Sequence, residues 1–364
     1  MESSQQQQPQ QEQEQQQPQQ QKKNKGVIGI ANVGNTCYAN AAIQLLRHCS
    51  EWSSFCLQGL AEKEITDLSG NSAKVLLGYL DLLKPLWSGS HPAYIQPAGF
   101  WQTMTEVLKG TIYEEFLHRI PHDAHEFLTW LLDQQFMATQ KERNFVVRSP
   151  DGTMAHEAVS AWIQSFKKAY SPLTDLCFGL MRVTTCCETC GHKSNSWETF
   201  NMLKVQPARE GENTIEAMLK RELEPERIDE YACDKCAPKR GPATRTPMIW
   251  RLPRNLFVVL KRFNPNGSKN QAAVTYGGEQ QSFEYVFAPE SPEVSKAYKY
   301  NLYGTVDHHG HHMGGHYTCQ AKSPLNKDSG SHWWLYDDES VYKLEQGPKF
   351  GSSTYILGFQ IVGD

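Results

Sequence analysis

Gly34-Asn35-Thr36-Cys37-Tyr38-Ala39-Asn40 reads as a tight polar turn running into a helix. Beyond it, Tyr38, Ala42, Leu45, Leu46 and Cys49 recur at helical spacing, which predicts a helix with one buried face starting near Thr36 or Cys37. Cys37 then sits at a helix N-terminus. There the unpaired N–H groups and the positive end of the helix dipole favour a thiolate, the form that attacks carbonyls. The competing reading is a buried core cysteine, the commoner fate of a thiol among apolar residues. Far downstream, Gly314-Gly315-His316-Tyr317 offers the histidine that thiol chemistry needs as its base.

The surroundings of that histidine read as an antiparallel hairpin. Residues 300–306 and 317–322 are strand-like, a turn-rich segment covers 323–331, and a further strand-like run, 333–336, ends at Asp337-Asp338. An unbulged ladder closing around Asn326-Lys327 sets His316 opposite Asp337. A carboxylate there would hold the imidazole in one tautomer and stabilise the imidazolium formed when Cys37 gives up its proton. The plainer reading is a His-rich loop (His308, His309, His311, His312, His316), either a solvated turn or a weak metal site, followed by an aspartate turn.

A second cluster lies mid-chain. Cys187-Glu188-Thr189-Cys190 and Cys233-Asp234-Lys235-Cys236 are two Cys-x-x-Cys pairs 42 residues apart, the way a closed tetrahedral zinc site is built from two turns. Disulfides and chance pairs are the alternatives. Polar residues inside both turns make the pairs look exposed, which argues against packing cysteines. Cys186 adjoins the first pair, but only Cys187 gives the two-residue gap to Cys190. Four protein ligands leave no place for water, so such a zinc would be structural.

Composition narrows the setting. At 364 residues the chain has room for a large core, for two domains or for one elaborated catalytic domain. No apolar leader precedes the ten cysteines, and no uninterrupted apolar run reaches the roughly 18 residues that span a bilayer. A reducing intracellular location, cytoplasm or nucleus, is therefore expected, with no membrane partner. The net charge of -4 gives no reason to expect nucleic acid. Residues 1–25, mostly glutamine, hold no apolar residue after Met1 and are predicted to be a disordered extension. Residues 38–136 read mainly as helix (74–83, 125–136, a helix start at 97–100), and 178–184, 256–263 and 355–362 read as strands. Helices first and antiparallel strands later is an α+β pattern.

Taken together, the motifs resemble the ubiquitin-specific proteases. Residues 29–40 look like that family's cysteine box, Pro121-His122-Asp123-Ala124-His125-Glu126-Phe127-Leu128 like its second box, 252–263 like its palm strand and 308–338 like its histidine box. Matches in sequence order are far more specific than any one alone. The resemblance implies a papain-like cysteine peptidase, 26–364, with a helical thumb (about 26–170), zinc-bearing fingers (about 178–250) and a palm (about 251–364). It implies Cys37 as nucleophile, His316 as general base and then acid, Asp337 as the orienting carboxylate with Asp338 as substitute, and Asn32 as oxyanion donor. Taken alone, Asn32 reads equally as a turn asparagine capping its own backbone.

Substrate contacts follow from the same resemblance. Asp123 aligns with an acidic residue that holds the substrate's extended tail, although three residues before Glu126 it also reads as a helix cap. Gly314 and Gly315 would let a diglycine tail pass close to the backbone beside His316, with Tyr317 adjoining; they serve equally as hairpin glycines. Pro121 departs from the family, where glutamine is usual, and removes an amide from this region. The implied activity is hydrolysis of the bond after ubiquitin's C-terminal glycine, with ubiquitin and ubiquitinated proteins as partners of a monomer. The same chemistry on a ubiquitin-like modifier, or a non-catalytic zinc scaffold, are the rival readings.

Overall fold

The computed structural model describes residues 26–88, 93–278, 280–311, 314–323 and 332–363. The glutamine-rich segment, His312 and the Asn326-Lys327 turn lie outside these residues. The predicted helix begins at Cys37 and runs to Arg47, and every residue of it is buried. A helix apolar or closely packed all round needs neighbours on every side. It has them: the helix Ala124–Thr139 on one flank and the strands Gly314–Lys322 and Lys299–His311 on the other. The helices Asn71–Ser88 and Ala98–Leu108 lie in the same helical half, close to the predicted positions.

Seven strands form the path of the main sheet, in the order Ser340–Leu344, Trp333–Asp337, Gly314–Lys322, Lys299–His311, Thr354–Val362, Asn255–Leu260 and Met202–Val205. Gln280–Ser282 pairs with Lys299–His311 off that path. All these pairs are antiparallel except the one joining Met202–Val205 to Asn255–Leu260. Alternation along Asn255–Leu260 accounts for the two cores. Phe257 and Val259 join the cluster shared with the helices, whereas Leu256, Val258 and Leu260 join the cluster on the opposite face. Both faces are covered, so the strand reads as a continuous apolar run. It stops at Leu260, short of the predicted 263; Phe263 makes only an isolated bridge to Lys269.

A separate antiparallel sheet, ordered Lys193–Phe200, Gly179–Cys187, Arg240–Arg251, Glu226–Ala232, carries the Cys-x-x-Cys turns at one end. The structure is thus helical in its first half and mainly antiparallel sheet in its second. No helix among the described residues is long and apolar enough to cross a membrane.

Candidate active site

Cys37 is the first residue of its helix and is 8% exposed. The turn before it is built by Asn32, whose Oδ1 accepts from the backbone N–H of Gly34 at 3.0 Å and of Thr36 at 3.1 Å. This is the self-capping turn that the residue type favours. Gly34 at φ +118° and Asn35 at φ +55° give the chain the left-handed bend that delivers Cys37. Asn35 Nδ2 ties the bend to the Arg119 carbonyl at 2.8 Å.

His316 Nε2 lies 2.5 Å from Asp337 Oδ1. The Cys37 thiol is close enough to act on the same ring: its influence, and then that of Asp337, outweighs partial burial and raises the imidazole to about 9. The expected register is nevertheless wrong. The ladder pairs Cys319 with Tyr336 and Lys322 with Trp333, so Asp337 falls in line with Thr318, two positions from His316. A slip of two keeps both side chains on one face, and a diagonal neighbour is within reach of an imidazole. The His-rich stretch is not a loop either: Lys299–His311 and Gly314–Lys322 pair through Gly310↔Gly315 and His311↔Gly314.

Asp338 also stands near the imidazole, since one oxygen of each aspartate and a ring nitrogen of His316 lie within 4.8 Å of one another, but its own hydrogen bonds run to the turn and helix around Cys37. Its Oδ2 accepts from Asn32 Nδ2 at 2.8 Å and its Oδ1 from Asn40 Nδ2 at 2.7 Å. The residue holds φ +48°, an uncommon conformation for aspartate. Burial raises its carboxyl. Asn32 thus caps the turn with its oxygen, as the residue type predicts, and its amide donates to the carboxylate that ties the end of the strand Trp333–Asp337 to the Cys37 helix. Asn40, on the helix that Cys37 opens, was not singled out from sequence; the only signal was its place in the opening motif.

A cavity of about 530 Å³ opens beside Cys37, lined among others by Asp123, Glu126, Phe263, His308 and Tyr317. Three carboxylates, Glu115, Asp123 and Glu126, give it an acidic wall. Asp123 is the helix cap, accepting from His125 N at 2.7 Å, and it also takes the Tyr355 hydroxyl at 2.8 and 2.7 Å on its two oxygens. Tyr355 was not foreseen, since a strand tyrosine reads as core. Gly315 has no room for a side chain: a Cβ there would lie 2.3 Å from His308 Nε2 and 2.5 Å from the His309 carbonyl. At Gly314 a Cβ would meet nothing within 4 Å. Tyr317 is 5% exposed.

The four mid-chain thiols converge. Cys187 Sγ is 3.8 Å from Cys236 Sγ, Cys190 Sγ is 3.6 Å from Cys233 Sγ, and all four lie within 4.8 Å of one another. Four sulfurs at roughly 2.3 Å from one ion stand about 3.8 Å apart at tetrahedral corners, so the cluster fits zinc. The backbone N–H of Cys190, ahead of that of Thr189, lowers Cys187 to about 7, while the Cys190 thiol pushes Cys236 up to about 12 and burial raises Cys233. Contrary to the expectation of exposed pairs, Cys187 and Cys233 are buried; only Cys190 is exposed. The cluster supplies its own cover.

Residues 28–359 match the family model described as ubiquitin carboxyl-terminal hydrolase. Among curated relatives, ubiquitin carboxyl-terminal hydrolase 2 of Bos taurus is 25% identical over 353 residues, covering 93% of this chain and 55% of its own. Ubiquitin carboxyl-terminal hydrolase 4 of Saccharomyces cerevisiae (strain ATCC 204508 / S288c) is 28% identical over 373 residues, covering 92% and 39%. The chain thus spans about half or less of the length of these relatives. Among solved structures, the SAGA Ubp8/Sgf11/Sus1/Sgf73 DUB module bound to ubiquitin aldehyde superposes with a TM-score of 0.70 at 18% identity, covering 94% of this chain and 71% of that one. A form bound to monoubiquitin gives 0.71 at 19%, with the same coverage. At that identity the likeness establishes the α+β, papain-like fold.

Proposed function

Because the chain belongs to the ubiquitin carboxyl-terminal hydrolase family, we propose that it is a thiol-dependent deubiquitinase that cleaves the isopeptide or peptide bond after ubiquitin's C-terminal glycine. The observation that carries the reading is His316 held at 2.5 Å from Asp337 while the Cys37 thiol, at the head of its helix, is the strongest influence on the same imidazole. A base within reach of a nucleophile and oriented by a third group is the arrangement covalent acyl transfer requires.

The residues divide the work. His316 takes the Cys37 proton and the thiolate attacks the glycine carbonyl. The oxyanion that forms is stabilised by the Cys37 backbone N–H and by Asn32 Nδ2, whose second proton is free of Asp338. His316 then protonates the departing lysine amine, leaving a thioester. Water, deprotonated by His316, attacks that thioester and releases ubiquitin and the thiol. Asp337 keeps the imidazole aimed and stabilises its charged form throughout.

The acidic wall of Glu115, Asp123 and Glu126 suits the basic C-terminal tail of ubiquitin. Gly314, Gly315 and Tyr317 line its approach to Cys37 in this reading, and the thumb, fingers and palm take the bounds given from sequence apart from Met202–Val205, which pairs into the main sheet. Cys187, Cys190, Cys233 and Cys236 would hold a structural Zn²⁺, which when bound braces the tip of the four-stranded sheet and offers no open coordination position. Ten free thiols suit a reducing, intracellular setting and a monomer acting on ubiquitinated proteins.

Hydrolysis of ubiquitin carrying a C-terminal fluorophore, beside matched ubiquitin-like modifiers, tests the proposal. Release from ubiquitin by the wild type and none by Cys37→Ala is expected. Turnover of another modifier alone, or of none, would overturn it.

A further inference from the structure

The helix that opens with Cys37 closes with an arginine that has no surface. Arg47 is 0% exposed, and a cation that deep normally meets a carboxylate. Arg47 bonds to none among the described residues. Its Nε donates to Gln44 Oε1 at 2.5 Å and its Nη2 to the Gly26 carbonyl at 2.7 Å, while Nη1 is buried without a partner among the described residues. Two aromatic faces surround the cation instead: the guanidinium carbon lies 4.8 Å from the Trp87 ring centre and 5.0 Å from that of Tyr336.

Tyr336 is the residue before Asp337, and its hydroxyl completes a small network. The oxygen is 3.0 Å from the Gly26 carbonyl and 3.3 Å from His48 Nε2. His48, kept neutral by burial and then by the Arg47 charge, spends its one proton on Nδ1 against the Gln44 carbonyl at 2.6 Å. Its Nε2 is then an acceptor, and one hydroxyl proton faces two acceptors. Arg47 Nη2 resolves this by serving Gly26 itself. Without Arg47, either Gly26 or His48 loses its donor.

An apolar side chain of similar volume would fill this core at least as well, because a buried charge with an orphan N–H is a cost the fold alone does not require. What the arginine adds is directional. We propose that Arg47 is a positioning residue: by clamping the Tyr336 ring, it fixes the strand end that presents Asp337 and Asp338 against the helix that presents Cys37, and so sets the aim of His316. This rests on the thiol-peptidase reading of the site.

The test is Arg47→Met in the full, zinc-loaded chain. It is read by Tm, by kcat and KM on ubiquitin–fluorophore, and by the rate of Cys37 alkylation at pH 6.5 relative to pH 9.5, followed by peptide mass spectrometry. Expected are a Tm no lower than about 2 °C below wild type, KM within about twofold, kcat down about fivefold or more, and a reduced alkylation ratio. A Met variant of wild-type stability that keeps both kcat and the ratio would overturn the proposal. Should that variant not fold, Tyr336→Phe, which keeps the stacked ring, is set against Tyr336→Leu, which does not. Phe is expected to hold kcat within about threefold and Leu to lose it; wild-type kcat in Leu overturns the proposal equally. Alkylation needs no substrate. A chain that cleaves no ubiquitin would therefore end the deubiquitinase reading while the alkylation ratio still judged Arg47.

Discussion

Replacing Asp337 with alanine removes the charged acceptor from His316 Nε2 and leaves Cys37 untouched. A hydrogen bond to a charged group contributes about 1.5–3 kcal/mol. Here His316 and Asp337 are 42% and 39% exposed, and solvent screening reduces that to about 1–2 kcal/mol. If the whole of it is felt in the transition state, kcat/KM falls roughly 5- to 30-fold. The pH dependence gives a sharper signature. His316 stands at about 9, raised first by the Cys37 thiol and further by Asp337 against the opposing effect of burial. Because the folded value lies above the unfolded 6.5, the associated stability is complete below pH 6.5 and is lost as pH rises through about 9. Removing Asp337 moves the alkaline limb of activity down from 9 toward 6.5, so the loss is larger at pH 9 than at pH 7. Asp337→Asn, which keeps an acceptor oxygen without the charge, should fall between wild type and alanine. The assay is ubiquitin–fluorophore hydrolysis from pH 6 to 10. An alanine variant within about threefold of wild type with an unmoved alkaline limb would mean that Asp337 does not orient His316. So would a large loss confined to Asp338→Ala.

Three further outcomes are expected. Cys187→Ser and Cys233→Ser should each lose the bound zinc and lower Tm by about 5 °C or more; near-stoichiometric zinc in both, by elemental analysis, contradicts the four-thiolate site. Gly314→Ala should fold with native Tm and raise KM, whereas Gly315→Ala, colliding with His308 and the His309 carbonyl, should lose stability as well; an unchanged KM in the folded Gly314 variant removes that residue from the tail path. Asp338→Ala deprives the Asn32 amide of its acceptor and the Asn40 amide of the shortest of its three and should cost about 1–3 kcal/mol in urea unfolding, with a change under about 0.5 kcal/mol counting against the tie it is held to form.

The cysteine turn and its helix were legible because local rules agree there: turn residues, helical spacing and a positive helix end all meet at Cys37. The His316–Asp337 contact was legible for a weaker reason. The inferred register was two residues out, and only the even slip kept the pair on one face. The pairing of His309 and Gly310 into a long hairpin was missed because histidine and glycine carry little strand preference, and the ladder there is imposed by the neighbouring strand. Lys193–Phe200 and Glu226–Ala232 are mostly polar, with their few apolar residues split between both faces, so no alternation marks them. Arg47 was invisible because nothing in a sequence announces a buried cation whose partners are two rings, one of them almost 300 residues away. Met202–Val205 lies within the range predicted for the fingers and yet pairs into the main sheet, a long-range parallel pairing that local pattern does not encode.

The central claim is that Cys37 attacks the carbonyl at ubiquitin's C-terminus, and a ubiquitin probe bearing a C-terminal electrophile tests it most directly. The account predicts one covalent adduct per chain in the wild type, mapped by mass spectrometry to Cys37 among the ten cysteines, and none in Cys37→Ala. An adduct that persists in Cys37→Ala, or that maps to another cysteine, would contradict it.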